Sequence, residues 1–121
     1  MNQYKILVES LKLMALSYEE QREVLPDFVE DNIEEDVVSV FDNAFKLVPQ
    51  LMDEEKLSYK AVGKIISCFV LMDLNISNTD LNEDAFKHNE LWVRVRTLAK
   101  EALIEMNEPL TRPNIDLYFD D

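Results

Sequence analysis

The sequence predicts an all-α fold, a single-domain bundle of four to five helices with an acidic face and a short C-terminal tail. Its 121 residues are enough for one hydrophobic core and too few for two. It contains one glycine and four prolines, fewer turn-forming residues than β-sandwiches and barrels usually need. Apolar residues recur at three- and four-residue spacing, the period of an amphipathic helix. The sequence therefore predicts a helical domain over residues 1–108 and an acidic, aromatic tail over residues 109–121.

The N-terminal part of the chain is predicted to form two helical pieces. Residues 3–16 place five apolar side chains on one face: Ile6, Leu7, Leu11, Met14 and Ala15. Ser17 and Glu20 have the capping-box spacing, which predicts a bend near Ser17 and a new helix that Pro26 ends.

The next helix is predicted to begin at Asn32, a favourable N-cap residue. We expect residues 27–31 to form an ordered loop before it, with Phe28 and Val29 in the core. The apolar stripe of this helix contains Pro49, which predicts a kink there or a helix end one turn earlier.

A long apolar helix is predicted over residues 59–75, with Ser58 as its N-cap. It is apolar on most of its circumference, which indicates the buried centre of a bundle. Gly63 within it indicates a close approach between helices.

The C-terminal part is predicted to contain a loop over residues 76–89, with one helical turn near Glu83–Phe86, and a last helix at about 90–107. Trp92 has apolar neighbours at helical spacing, so we expect it in the core. Pro109 and Pro113 prevent the helix from continuing.

The net charge of −13, from 25 acids and 12 bases, limits the partners of the protein. Phosphates of nucleic acids and anionic membrane surfaces are repelled, so neither is expected as a partner. Basic proteins are attracted, with faster encounter at low salt. Plain solubility is the alternative explanation of the charge.

Cys68 is the only cysteine, which excludes an internal disulfide and is typical of a reducing compartment. The N-terminus lacks the apolar segment of a signal peptide, and no run approaches the roughly 20 apolar residues of a membrane span. We therefore expect a cytoplasmic protein.

The residues needed for most enzyme active sites are missing. The single histidine, His88, lies in a polar segment far in sequence from Cys68, and one glycine cannot form a phosphate-binding loop. Glu20 and Glu23 have the E-x-x-E spacing of Mg²⁺-dependent NTP pyrophosphohydrolases, with Glu35 or Asp36 as further ligands, but no basic cluster accompanies them. We expect no enzymatic activity, cofactor or metal, and keep the hydrolase as the least favoured alternative.

Nine acids and one base lie between residues 19 and 36. The helix dipole explains the acids of the first turn after Asn32, but not those upstream. The sequence therefore predicts a surface for a basic protein. The aromatic residues of the tail either anchor the same partner or pack back on the bundle, and the sequence leaves both open. The predicted partner-binding residues are Glu20, Glu23, Asp27, Glu30, Asp31, Glu34, Glu35, Tyr118 and Phe119.

Over about residues 2–107, the segments S-Y-E-E-Q…L-P-D-F-V, V-F-D-N-A-F and L-W-V-R-V-R-T-L-A-K-E-A-L resemble a group of small helical immunity proteins. These belong to bacterial contact-dependent growth inhibition and related polymorphic toxin systems. The resemblance implies a non-enzymatic inhibitor that binds a toxin C-terminal domain, often a basic nuclease, and occludes its active site or substrate surface. An acidic adaptor or interaction module is the alternative, and the oligomeric state is not predicted.

Overall fold

The computed structural model describes residues 2–25, 33–78 and 89–114, with side chains for all of these except 75–78. These residues form helices and no strand, so the predicted all-α fold is confirmed. No helix among them combines the length and the hydropathy that a membrane span requires. Within these described ranges six helices follow in order: α1 (Gln3–Ala15), α2 (Tyr18–Val24), α3 (Ile33–Phe45), α4 (Val48–Asp53), α5 (Tyr59–Asn78) and α6 (Glu90–Glu105).

Polar side chains begin these helices where the sequence predicted them. The Ser17 hydroxyl accepts a hydrogen bond from the Glu20 backbone N–H, and the Glu20 carboxylate accepts one from the Ser17 N–H. This capping box separates α2 from α1 and confirms the predicted bend. Ser58 caps α5 by accepting a hydrogen bond from the Ala61 N–H at 3.1 Å. Asn32 and the loop residues 27–31 lie outside the described residues.

Pro49 marks a break between two helices. Helix α3 ends at Phe45, and α4 begins at Val48 with Pro49 in its first turn. A proline is tolerated there because the first backbone N–H groups of a helix have no acceptor within it. The predicted helix end one turn before Pro49 is therefore confirmed.

The core lies between four helices. Helix α6 packs along both α5 and α1, and α3 packs on α1 and contacts α5. The rings of Phe45 on α3 and Phe69 on α5 stack with centroids 4.1 Å apart, and Phe41 lies 6.3 Å from each. Trp92 is buried, as predicted. The largest fully buried apolar side chains are Trp92, Phe41, Leu7, Leu11, Leu13, Met14, Leu51, Ile65, Met72 and Leu103.

Helix α5 differs from its prediction in position and in length. It was expected at the buried centre of the bundle, but Tyr59 is 91% exposed and Ile66 and Val70 are 44% and 49% exposed. A Cβ atom added to Gly63 would meet nothing within 4 Å, so the predicted close approach is wrong as well. The helix also continues to Asn78, three residues beyond its predicted end at residue 75. One side of α5 packs inward and the other faces solvent.

The described part of the C-terminal tail packs on α1. Glu108 accepts a hydrogen bond from the Tyr4 hydroxyl, and Thr111 accepts one from the Lys12 ammonium. The Asn114 backbone N–H donates to the Glu9 carboxylate at 3.0 Å. Burial and the neighbouring Glu108 carboxylate raise the pKa of Tyr4 to about 12. These contacts hold the chain beyond α6 against the N-terminal helix.

Candidate functional site

Acidic residues are concentrated on three consecutive helices. Helices α2, α3 and α4 contain eight acids and one base, Arg22. Helices α1, α5 and α6 contain five acids and seven bases. The negative charge of the protein is therefore distributed unevenly, and we refer to α2–α4 as the acidic helices.

Two acids of α2 already have structural partners. The carboxylate of Glu20 closes the capping box with Ser17, and that of Glu23 forms an ion pair with Arg112 of the C-terminal segment. Both side chains remain exposed. Each of the two carboxylates of the E-x-x-E pair therefore has its own partner within the protein.

Glu34, in the first turn of α3, is buried and not a surface residue. It is 3% exposed, and its Oε2 atom has no hydrogen-bond partner among the described residues. Burial, and secondarily the negative charge of Glu35, raise the pKa of Glu34 to about 7. The same two causes raise the pKa of Asp36. Glu34 therefore cannot make the surface contact that the sequence predicted for it unless α3 rearranges.

The spacing of α3 contains the signal that Glu34 is buried. Glu34, Val37, Phe41 and Ala44 follow one another at intervals of three, four and three residues, and all four are buried. That is the period of a helix face in contact with a core. Residue type suggested a surface position, but residue spacing places Glu34 on the inner face.

The exposed face of α3 has acids that point away from this core. Glu35 is exposed and Asp42 is half-buried, and their seven-residue separation, about two turns, places them on one face. Beyond α3, exposed acids that were not among the predicted partner-binding residues end α4 and follow it: Asp53, Glu54 and Glu55.

Three of the predicted partner-binding residues are exposed in the described part of the chain: Glu20, Glu23 and Glu35. The helices that carry them contact the rest of the protein in different ways. Gln21 of α2 donates a hydrogen bond to the Leu13 carbonyl of α1, whereas α3 packs on α1 and α5. Glu34 is buried, and the remaining predicted residues lie outside the described ones: Asp27, Glu30, Asp31, Tyr118 and Phe119.

Two kinds of catalytic group can be examined in the described residues, a reactive thiol and a metal cluster. Cys68 is buried, its thiol donates to the Val95 carbonyl at 3.4 Å, and burial raises its pKa to about 12. A thiol with that pKa stays protonated at neutral pH and is a poor nucleophile. Residues 2–25, 33–78 and 89–114 contain no cluster of three or more His, Cys, Asp or Glu side chains able to hold a metal ion.

A groove of about 380 Å³ between α2 and α6 contains basic groups, but acids accompany them. Arg96 and Lys100 of α6 line it together with Glu19 and Glu20 of α2. Burial lowers the pKa of Arg96, and the negative charge of Glu19 opposes that shift. Because its bases are matched by acids, the groove does not resemble the strongly basic cleft that a triphosphate requires.

Comparison of the chain with protein-family models, with curated proteins and with solved structures gave no match.

Proposed function

We propose that this protein is an immunity protein that binds the toxic C-terminal domain of a contact-delivered toxin and blocks its active site or substrate surface. The observation that supports it is the concentration of eight acids against one base on α2–α4. A nuclease toxin is the best fit, because the cleft that binds nucleic acid phosphates is basic. In the complex, exposed carboxylates of the acidic helices bind in the basic cleft of the toxin, where the nucleic acid phosphates would otherwise bind.

The uneven distribution of charge would raise the association rate of such an inhibitor and orient the toxin toward one part of its surface. Opposite potentials on two proteins accelerate their encounter by ~10-fold to ~1000-fold over uncharged surfaces at low salt. Since eight of the thirteen acids on the described helices lie on α2–α4, with one base, the toxin is steered to that part of the surface and not to α5 or α6. Binding in the cytoplasm, before the toxin reaches nucleic acid, then needs no catalytic group on the inhibitor.

The packing of α3 holds its exposed acids in place before binding. Val37, Phe41 and Ala44 anchor the inner face of α3 in the core, and Glu35 and Asp42 extend from the other side. A preorganised surface loses less conformational entropy on binding than a flexible one. The affinity of the complex therefore benefits from the rigidity of this helix.

Co-expression tests the proposal directly. The C-terminal domain encoded immediately upstream of this gene is expressed in a sensitive host, with and without this protein, and surviving cells are counted. We expect death without the protein and survival with it, and a purified complex of the two. A harmless domain, or equal killing in both cultures, contradicts the proposal. Capture of one resident cytoplasmic protein from the source cells then favours the adaptor alternative.

Charge reversal on α3 is expected to slow association with the toxin domain. The double variant Glu35→Lys/Asp42→Lys should lower the association rate constant about tenfold at low salt, because steering depends on these charges. The dissociation rate constant should change less. Stopped-flow or surface-plasmon measurements at several salt concentrations give both constants.

A charge-matched variant separates local steering from net charge. Glu90→Lys/Glu105→Lys on α6 brings the net charge from −13 to −9, as the α3 variant does, without altering the acidic helices. We expect it to change the association rate constant by about twofold or less, since distant exposed charges are screened. Equal slowing by both variants would remove α3 from the binding surface.

A further inference from the structure

The outer face of α5 is an apolar surface exposed to solvent. Its apolar side chains are roughly half exposed or more, whereas the opposite side of α5 packs on α6 and α3. Contiguous exposed apolar residues on a helix indicate a surface that another molecule covers. The outer face consists of Tyr59, Gly63, Ile66, Ser67, Val70 and Leu74.

These six residues form two parallel rows with four-residue spacing. The first row is Tyr59–Gly63–Ser67. It is low at its second and third positions, because glycine and serine have the smallest side chains of the face. The second row, Ile66–Val70–Leu74, consists of branched apolar side chains and stands higher. The space above Gly63 is open, with nothing within 4 Å of an added Cβ atom. A high row beside a low row is the shape that a second helix complements.

The two rows are exchanged by a two-fold axis through the midpoint between Ile66 and Ser67. Reversal of α5 about that point brings Tyr59 opposite Leu74 and Gly63 opposite Val70 of a second copy. The high row of each copy then lies over the low row of the other. Rows of residues four apart interdigitate in the commonest class of helix packing, with helices crossing at about −50°. A surface that complements itself in this way is isologous, as a two-fold dimer requires.

The charges on this side of the molecule favour a second copy over a basic partner. The same two-fold axis brings Lys60 of one copy opposite Asp73 of the other. Three bases and one acid line the groove beside the outer face: Lys60, Lys64, Arg94 and Glu105. Two further acids lie on the same helices, Glu101 in an ion pair with Lys64 and Asp73 on α5. In a chain with a net charge of −13, a face without excess negative charge is where two copies repel each other least.

We propose that a second copy of this chain docks on the outer face of α5, so that the protein forms an antiparallel α5–α5 dimer with two-fold symmetry. The contact uses none of the acids of α2–α4, so each copy keeps its acidic helices for another partner. Dimerisation is therefore independent of toxin binding, and its test needs only this protein.

Sedimentation equilibrium of the full chain, from low micromolar to millimolar concentration, tests the dimer. We expect a monomer–dimer equilibrium that shifts toward dimer when sodium chloride is added, since salt screens the repulsion between two acidic copies. Val70→Glu places a charge in the centre of the contact and should weaken dimerisation at least ~tenfold. Val93→Glu on α6 is the control, because Val93 is 50% exposed, as Val70 is 49%, but lies outside the outer face. Circular dichroism of both variants verifies that they are folded.

A cysteine cross-link tests the orientation of the two helices. Ser67 lies next to the proposed axis, so Ser67→Cys should form a covalent dimer under mild oxidation, whereas Ser39→Cys, at an exposed position of α3, should not. The native Cys68 is buried and does not compete. A monomer at every concentration and salt, or equal weakening by Val70→Glu and Val93→Glu, overturns the proposal. A dimer that Val70→Glu dissociates but Ser67→Cys does not cross-link overturns the antiparallel arrangement.

Discussion

Replacing Trp92 by alanine is expected to lower the free energy of unfolding by about 3–5 kcal/mol. Trp92 is 1% exposed and is the largest buried side chain, on the helix that packs against both α1 and α5. Its removal loses the transfer free energy of the indole ring and leaves a cavity that neighbouring helices fill only in part. Since a domain of this size has a total stability of about 5–15 kcal/mol, the variant is close to unfolding.

Urea unfolding of the Trp92→Ala variant followed by circular dichroism gives this difference; tryptophan fluorescence cannot, because Trp92 is the only tryptophan. Val93→Ala is the control. Val93 neighbours Trp92 in the sequence, but its side chain is 50% exposed, so its truncation should lower the free energy of unfolding by only about 0.5 kcal/mol. Equal losses in the two variants would contradict the position of Trp92 in the core.

The stability of each variant also matters for the co-expression experiment. A destabilised inhibitor is degraded in the cell and protects poorly for a reason unrelated to its binding surface.

The elements that the sequence predicted correctly have short-range causes. Ser17 and Glu20 satisfy each other's backbone groups within one turn, and Pro49 is compatible with a first helical turn but not with a helix interior. Neither cause requires knowledge of the tertiary structure. The start of α5 after Ser58 and of α6 after Asn89 follows from the same N-cap chemistry.

The wrong predictions concern the burial of α5. The number of neighbouring helices sets that burial, and residue types alone do not determine it. Ile66 and Val70 on the outer face of α5 are as apolar as Ile65 on its inner face, yet only Ile65 is fully buried. Hydropathy therefore predicted the helix but not its exposed side. For the candidate site, the excess of acids was countable from the sequence. The ion pair of Glu23 with Arg112 needed the structure, since Arg112 is distant in the chain, whereas the capping-box spacing already predicted the contact of Glu20 with Ser17.

Glu34 is expected to make the protein less stable as the pH rises from about 4.5 to about 7. Burial raises its pKa from 4.5 to about 7 in the folded protein, while the unfolded chain keeps the ordinary value. Between these values the folded state binds the proton more tightly, so its contribution to stability is complete below pH 4.5 and is lost as the pH reaches 7. The loss is about 3 kcal/mol, since one pKa unit corresponds to about 1.4 kcal/mol.

The Glu34→Gln variant isolates this contribution, because glutamine keeps the shape of the side chain and does not titrate. Relative to the wild type, it should be about 3 kcal/mol more stable at pH 8 than at pH 4, as measured by urea unfolding at both values. Glu90→Gln is the matched control, since Glu90 also lies in a first helical turn but is exposed. As a surface substitution, it should change the free energy of unfolding by less than about 0.5 kcal/mol. A Glu34→Gln difference that does not change with pH would mean that Glu34 titrates as it does in water.

If the expected change is found, Glu34 is about half protonated at pH 7. The formal net charge of −13 then overstates the negative charge that α3 presents to a partner.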